Sequence, residues 1–263
     1  MATVEKRRKA RRAAVAMVLL AVTTLGGCRK AEHPVLTLSI AASLQPAMTE
    51  VEADYTREYG SVEFRNNFGS SGTLAQEIEQ GAPVDAFISA GAKPMDQLES
   101  GGLLAAGTRV NLLRNSLVLI APVGSHLSGL SGLTGSDVKV VALGDPESVP
   151  AGQYGKQTLE ALHLWDKVSA KLVLGKDVRQ VLSYVETGNA DAGLVYATDA
   201  QSSTKVRVAE TVPDGLHDAI VYPMAVVKGT RNEQEVRGFA EYLRSAEAAG
   251  VFAKCGFREV VNQ

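Results

Sequence analysis

The stretch NFGSSGTLAQEIEQGAPVDAFISA, residues 67–90, contains the pattern on which the fold prediction depends. A predicted strand at residues 62–68 leads into two serines that are flanked by glycines. Leu74 and Ile78 then recur at the spacing of a short amphipathic helix, and residues 84–89 form a second apolar strand. Strand, helix and strand in this order predict a parallel βαβ unit of an α/β protein.

The same alternation extends over the rest of the chain. Strands are predicted at residues 35–42, 62–68, 84–89, 117–121, 138–143, 171–174, 192–196 and 222–227, with helices between and after them. No repeat or low-complexity linker separates these elements. Two α/β lobes packed on each other fit a chain of this length better than one large sheet does.

The first 27 residues predict an export signal. Basic residues cluster at positions 6–12, and the apolar stretch that follows is too short to span a bilayer. It ends in LGGC at residues 25–28, which resembles the lipobox of bacterial lipoproteins and implies cleavage before Cys28 and lipidation of its thiol. An ordinary secretory signal with a chance cysteine is one alternative, and the paired arginines raise a twin-arginine signal as another.

The charge of the remaining chain excludes several classes of partner. The leader holds six of the 27 lysines and arginines and one of the 29 acidic residues, so 21 basic and 28 acidic residues remain, a net charge of −7. The sequence has no basic patch of the kind that binds nucleic acid or an anionic membrane surface. Cys255 is the second of two cysteines, so no disulfide is predicted. We expect an exported, soluble monomer that is anchored to the membrane through Cys28, on the periplasmic or cell-surface side.

Four predicted helices begin directly after strands, and their first residues are small or uncharged. These starts lie at Ser43, at Ser70-Ser71-Gly72, at Ala151-Gly152 and at Val178. Backbone N–H groups at a helix start have no partner within the helix, and the helix dipole favours negative charge there. Open α/β sheets place their ligands at the carboxyl ends of strands. The sequence therefore predicts an anion site built from uncharged donors, to which Tyr196 can add a hydroxyl at the end of its strand.

Six blocks of sequence resemble the periplasmic molybdate-binding proteins of molybdate ABC transporters. The blocks are AASLQPAM, NFGSSGTLAQEIEQGAPVDAFISA, NSLVLIAP, GDPESVPAGQYGKQTLEAL, DVRQVLSYVETGNADAGLVYATDA and YPMAVVKG. They occur in that family's order and cover nearly the whole mature chain. The resemblance implies a type II periplasmic-binding-protein fold, with two α/β lobes joined by two crossing segments. Lobe one would contain residues 34–114 plus 224–263, and lobe two residues 115–223.

The resemblance also implies the ligand residues and the function. Ser43 and Ser71 would donate hydroxyl and amide groups from lobe one, while Ala151 and Val178 would donate backbone N–H groups, and Tyr196 its hydroxyl, from lobe two. These groups are expected to hold molybdate or tungstate through its oxygens, with no direct ligand to the metal and no cofactor. The loaded protein would deliver the anion to the permease and ATPase subunits of an ABC transporter.

Several neighbours of these residues have open or supporting roles. Ser70 remains an alternative to Ser71 as the ligand contact. Gly69 and Gly72 are predicted to let the backbone approach the anion closely. A carboxylate facing a dianion would repel it, so the acidic residues of the same loops are expected to be helix caps or outer groups: Asp145, Glu147 and Asp177.

The sequence also bears on two alternative functions. A serine hydrolase would need a Gly-x-Ser-x-Gly elbow, and the Gly-Ser-Ser-Gly at residues 69–72 does not have that spacing. The four histidines lie outside every block, and no metal or nucleotide motif is present. A receptor of the same fold for another oxyanion is the second alternative. Protonated phosphate needs an acceptor in the site, whereas sulfate differs from molybdate mainly in size.

Overall fold

The computed structural model describes residues 33–60 and 62–260, in which two β-sheets are surrounded by helices. The strands are Val35–Ala41 (β1), Glu63–Gly69 (β2), Ala86–Ile88 (β3), Val110–Arg114 (β4), Leu117–Pro122 (β5), Val141–Gly144 (β6), Leu172–Gly175 (β7), Ala192–Tyr196 (β8), Val206–Thr211 (β9), Val221–Val226 (β10) and Arg258–Glu259 (β11). The α-helices are Gln45–Tyr59 (α1), Ser71–Glu79 (α2), Ala92–Ser100 (α3), Pro150–Ala161 (α4), Trp165–Val168 (α5), Val178–Glu186 (α6), Ala197–Gln201 (α7), Glu233–Tyr242 (α8) and Ala246–Lys254 (α9). The predicted leader and Cys28 lie outside the described residues.

The two sheets are mixed and separately hydrogen-bonded. The six-stranded sheet has the order β11-β4-β10-β3-β1-β2, and the five-stranded sheet has the order β7-β6-β8-β5-β9. The chain passes from the first sheet to the second between β4 and β5, and it returns between β9 and β10. Two α/β units joined by two crossings confirm the predicted fold class. The exact lobe boundaries stay a prediction, and the one proposed after residue 223 falls within β10.

Pairing in the sheets differs in part from the prediction. The strands that flank the predicted helices are parallel, as β1 is to β2 and β3, and as β6 is to β7 and β8. Strands β10 and β5 pair antiparallel with their neighbours, because each enters its sheet directly from a crossing segment rather than through a helix. The sequence pattern did not predict β4, β9 or β11. Strand β9 is only partly buried and carries charged residues, and β11 has two residues, so neither has an apolar run.

Apolar strands and one-sided helices explain the core. Strand β8 is buried along its whole length, and the apolar residues of β5 are buried as well, because helices cover the sheet on both faces. Helix α1 buries Ala47, Met48, Val51 and Tyr55; Val51 lies three or four positions from each of the others, so the four share one face. The carboxyl ends of the parallel strands remain free of this packing, and the loops there lead into helix starts.

No helix in the described part of the chain is long and apolar enough to cross a membrane.

Candidate functional site

Residues from both sheets line one small cavity. Its wall consists of Ala41, Ala42, Ser43, Gly69, Ser70, Ser71, Ala90, Val149, Pro150, Ala151, Val178 and Tyr196. All five predicted ligand residues are in this wall. The first seven residues lie at strand ends of the six-stranded sheet or in the segments after them, and the other five lie at the corresponding places of the five-stranded sheet. The cavity is therefore at the carboxyl ends of parallel strands, between the two sheets.

Ser43 lies in a 3-10 turn, Ala42–Leu44, between β1 and α1. The sequence predicted that this helix starts at Ser43, and this is wrong, because the turn moves the helix start to Gln45 and makes Leu44 the N-cap. Pro46 at the second helical position has no N–H to be capped. The Ser43 hydroxyl is instead 3.0 Å from the hydroxyl of Tyr222. Its side chain is thus available to the cavity rather than committed to the helix.

Ser70 and Ser71 begin helix α2 and have different partners. Ser70 is the N-cap, since its Oγ accepts from the Thr73 N–H at 3.2 Å and donates to Thr73 Oγ1 at 2.8 Å. The Oγ of Ser71 accepts from the Ala90 N–H at 2.9 Å, which leaves the hydrogen of its own hydroxyl uncommitted. These contacts favour Ser71 over Ser70 as the hydroxyl that donates into the cavity.

Helix α4 presents one backbone donor to the cavity. Pro150 has no N–H, and the N–H groups of Gly152 and Gln153 both donate to the Val149 carbonyl. The Ala151 N–H remains, and it has no acceptor among the residues that the structure describes. Sequence alone indicated a helix start at Ala151 and no particular donor, because a backbone donor leaves no trace in the side chain.

Helix α6 presents a donor in the same way. Its N-cap is Asp177, as predicted, and the carboxylate accepts from the Gln180 N–H at 2.8 Å. The Val178 N–H precedes that capped position, and no residue in the described part of the chain accepts from it. Helices α2, α4 and α6 therefore aim their starts at one point, where their dipoles favour negative charge.

Tyr196 extends from the end of β8 across to the six-stranded sheet. Its hydroxyl donates to the Ala90 carbonyl at 3.0 Å. Burial raises the pKa of this hydroxyl well above its usual value, so the hydroxyl keeps its proton. A phenol has one hydrogen, so donation to an anion would require that hydrogen to turn away from Ala90. The structure thus places Tyr196 in the site with its single hydrogen directed to protein.

The cavity wall contains no acidic or basic side chain. The carboxylate of Asp145 accepts from the Glu147 N–H at 3.1 Å within its own loop, and Asp177 caps α6. Neither these two residues nor Glu147 is part of the wall, which agrees with their predicted supporting roles. Electrostatic attraction in this site would come from backbone dipoles and hydroxyl groups alone.

Gly72 has a different role from the one predicted. It is absent from the cavity wall, and its N–H donates to the Ser148 carbonyl at 2.9 Å, which joins the start of α2 to the loop before α4. A Cβ at position 72 would lie 2.4 Å from that oxygen. The glycine therefore permits close approach of Ser148 rather than of a ligand, whereas Gly69 does line the cavity.

Two polar residues behind the wall were missed by the sequence reasoning. Tyr222 contacts Ser43, and the Asn115 amide donates to the Tyr222 hydroxyl at 3.2 Å and to Thr198 Oγ1 at 2.9 Å. Each is the first residue of one of the six sequence blocks, NSLVLIAP and YPMAVVKG. That position was the available signal, but nothing in the local pattern indicates which distant side chain each one contacts.

The described residues do not form a metal centre or a hydrolytic site. Within residues 33–60 and 62–260, no group of three or more histidine, cysteine, aspartate or glutamate side chains could hold a metal ion. The hydroxyls of Ser70 and Ser71 contact Thr73 and the Ala90 backbone, and neither has a histidine partner in the described chain. A donor site for binding is the chemistry that this arrangement supports.

Comparisons with known proteins agree with this assignment. Residues 36–258 match the model of the family described as bacterial extracellular solute-binding proteins. The chain is 47% identical to a Bacillus subtilis ABC transporter substrate-binding lipoprotein, YvgL, over 84% of this chain and 85% of that one. It is 40% identical to the Escherichia coli molybdate-binding protein ModA, over 89% and 92% of the two chains. A solved Clostridium difficile substrate-binding domain, named for a molybdenum ABC transporter, has 42% identity and a TM-score of 0.68, with 86% and 99% coverage. The chain therefore belongs to the bacterial extracellular solute-binding proteins, which bind solutes for transport and are not enzymes.

Proposed function

We propose that this protein binds molybdate and tungstate outside the cytoplasmic membrane and delivers them to an ABC transporter. The observation that carries the proposal is the convergence of Ser43, Ser71, Ala151, Val178 and Tyr196 on one cavity without a charged side chain. The Escherichia coli relative at 40% identity is named a molybdate-binding protein, which supports the choice of ligand.

The chemistry of the anion matches the donors of the cavity. A fully deprotonated tetrahedral dianion has only acceptor oxygens, so it needs converging N–H and O–H groups and no carboxylate. Backbone N–H groups at Ala151 and Val178, and the groups of Ser43 and Ser71, meet that need. Because these groups are fixed by helix starts and by the 3-10 turn at Ser43, the cavity selects an anion by its size and protonation state rather than by net charge.

Delivery requires membrane partners and two lobes that close on the anion. The lobes are proposed to be residues 34–114 plus 224–263 and residues 115–223, with the anion held between them. The permease and ATPase subunits of an ABC transporter are the proposed partners, and relatives named for such transporters support this. The protein is proposed to act as a monomer without a cofactor.

The proposed anchor is a lipid on Cys28. It rests on the LGGC sequence at residues 25–28, and the Bacillus subtilis relative is named a lipoprotein. Cell fractionation tests it: wild-type protein should be found with membranes, and Cys28→Ala should be soluble or mislocalised yet bind the anion normally. Wild-type protein that is cleaved elsewhere and carries no lipid would contradict the anchor without affecting the binding site.

Equilibrium dialysis of the purified mature chain tests the ligand assignment. We expect one bound molybdenum atom per chain, about half of it displaced by an equal concentration of tungstate and nearly all of it retained in a large excess of sulfate. Displacement by sulfate at equal concentration would assign the site to another oxyanion. Absence of bound molybdenum at any concentration would contradict the proposed function as a whole.

A further inference from the structure

The hydroxyl of Tyr222 lies behind the cavity wall and is hydrogen-bonded to the wall residue Ser43. Tyr222 is fully buried in β10, and its ring packs edge-on against Tyr196 and Phe257, with centroids 5.8 and 5.4 Å apart. Its oxygen is 3.0 Å from Ser43 Oγ and 3.2 Å from Asn115 Nδ2. Tyr222 itself is not part of the cavity wall.

The hydrogen bonds around Asn115 fix the direction of donation. Its Oδ1 accepts from the Ser116 backbone N–H at 2.9 Å, and an N–H can only donate, so Nδ2 is the atom that faces Tyr222. The amide therefore donates to the phenolic oxygen. The phenolic hydrogen then needs an acceptor, and Ser43 Oγ is the acceptor that the described residues supply.

Donation from Tyr222 determines what Ser43 offers to a ligand. Once the Ser43 oxygen accepts from the phenol, its own hydrogen points away from Tyr222, and Ser43 lines the cavity. Ser71 is arranged in the same way, because its oxygen accepts from the Ala90 N–H. The hydrogens of the Ser43 and Ser71 hydroxyls are thereby left for donation into the cavity, and one lone pair of each oxygen is already occupied.

We propose that Tyr222, oriented by Asn115, is a specificity-determining residue that holds the Ser43 hydroxyl as a donor and so favours anions without a proton over anions that carry one. The proposal rests on the proposed function only in taking a tetrahedral oxyanion as the ligand. A hydrogen phosphate ion must donate its proton to an acceptor, and the Ser43 lone pair that accepts from Tyr222 is not available to that proton. Sulfate is close to it in size and charge but carries no proton.

The hydrogen bonds from Asn115 to Tyr222 and from Tyr222 to Ser43 form a relay, and burial keeps this relay intact across the working pH range. It raises the pKa of the Tyr222 hydroxyl well above its usual value, so the phenol retains the hydrogen that Ser43 accepts. Replacement by phenylalanine removes this hydrogen and keeps the ring that packs against Tyr196 and Phe257.

A double-mutant cycle tests the relay. Tyr222→Phe should weaken molybdate binding about three- to tenfold, the effect of losing one oriented hydrogen bond. In a Ser43→Ala background the same change should have almost no effect, because there is no hydroxyl left to orient. Tyr242→Phe is the matched control: it removes another buried hydroxyl, which has no partner in the described chain, and it should leave binding unchanged in both backgrounds.

Competition by anions gives a second measurement that a purely structural role of Tyr222 would not change. In the wild type, sulfate should compete against molybdate better than hydrogen phosphate does. The ratio of the inhibition constant of hydrogen phosphate to that of sulfate should fall about tenfold in Tyr222→Phe. The relay would be overturned if Tyr222→Phe weakened molybdate binding equally in the wild-type and Ser43→Ala backgrounds, or if it left the ratio of the two inhibition constants unchanged. Neither result would contradict molybdate binding itself. If the wild type binds sulfate best, the cycle is measured with sulfate, so the relay is tested although the proposed ligand is wrong. A wild type that binds no oxyanion would overturn both proposals.

Discussion

The adjacent serines Ser70 and Ser71 both line the cavity, yet their hydrogen-bond partners give them different roles. Ser70 uses its hydroxyl twice on Thr73 and so holds the first turn of α2. Ser71 accepts from Ala90 and keeps its hydrogen for the cavity. Residues of the same type can therefore be separated by asking which hydroxyl still has a hydrogen to donate.

Alanine substitution should mainly lower affinity at Ser71 and mainly lower stability at Ser70. Ser71→Ala should weaken molybdate and tungstate binding together by about tenfold, since one buried donor to the anion is lost. Ser70→Ala should lower the free energy of unfolding by about 1 kcal/mol through the lost cap and change affinity much less. Calorimetric titration and denaturant unfolding of both variants measure these effects. A larger loss of affinity in Ser70→Ala would exchange the two assignments.

Asp199 is a buried carboxylate outside the cavity wall. Its two oxygens have no close hydrogen-bond partner in the described chain, and the Arg179 guanidinium is 3.6 Å away. Burial raises the pKa of Asp199 from its usual 3.8 to about 7, although Arg179 favours the ionised form. Between these two values the unfolded chain has released a proton that the folded chain still holds. The contribution of Asp199 to stability therefore falls as pH rises from about 4 to about 7.

Asp199→Asn should remove this pH dependence. The melting temperature of the variant, relative to that of the wild type, should rise across that window and level off above it. Burial also raises the pKa of Glu52 to about 7, but Glu52 is present in both proteins, so its contribution cancels in the difference. Melting curves over a pH series measure this, and a difference that stays constant from acid to neutral pH would mean that Asp199 titrates normally.

At the scale of secondary-structure elements, the site depends on where each helix begins relative to its strand. Helix α4 starts against the end of β6, where a Cβ on Gly152 would lie 2.0 Å from the Gly144 carbonyl oxygen. The Ala151 N–H is thereby held at the cavity by backbone packing rather than by a side chain. Such packing tolerates no added methyl group without displacing the helix start.

Gly152→Ala should therefore cost about 1–3 kcal/mol of stability and weaken anion binding at the same time. Gly250→Ala is the matched control, because Gly250 is in helix α9 and a Cβ there meets nothing within 4 Å. That change should stabilise the protein slightly, by about 0.5–1 kcal/mol, and leave affinity unchanged. Denaturant unfolding with calorimetry compares the pair. Normal affinity in a destabilised Gly152→Ala protein would show that α4 does not position a donor.

The elements also show how far the sequence could predict this molecule. An apolar run predicted β8 at residues 192–196, and the position of Asp177 before a helix predicted its cap. Both features depend only on residues that are close in sequence, so a local pattern is enough to find them. Strand β9 was missed, since its partly exposed residues alternate weakly and its pairing with β5 is set by the sheet. Alone, the residues indicated only helix starts suited to an anion, and the five ligand residues came from the family resemblance. The contact of Ser43 with Tyr222 joins positions 179 apart, so no local pattern could indicate it.

At the scale of the whole molecule, hydrogen bonds join the two sheets around the cavity. Tyr196 at the end of β8 donates to Ala90 after β3, and Gly72 in α2 donates to the Ser148 carbonyl before α4. An anion held from both sides would favour this closed arrangement over an open one. The contact at Gly72 limits how closely the two sides can approach, because a Cβ there would meet Ser148 at 2.4 Å.

Gly72→Ala should thus hold the lobes apart. With saturating molybdate, the wild type should become more compact in solution scattering, whereas the variant should remain expanded and bind at least about tenfold more weakly. Ser148→Ala is the control: it keeps the backbone carbonyl that Gly72 contacts and should close normally. Equal compaction of Gly72→Ala and wild type would show that this contact does not limit closure.

The most direct test of the central claim is calorimetric titration of the mature chain with molybdate, tungstate, sulfate and phosphate under the same conditions. Since the cavity wall has no charged group, affinity depends on several fixed donors reaching all four oxygens at once. A smaller anion would leave two donors unpaired, at about 1–3 kcal/mol each, so binding should weaken roughly thirtyfold to ten-thousandfold. We predict similar affinities for molybdate and tungstate and far weaker binding of sulfate and phosphate. Sulfate that binds as tightly as molybdate would contradict the account.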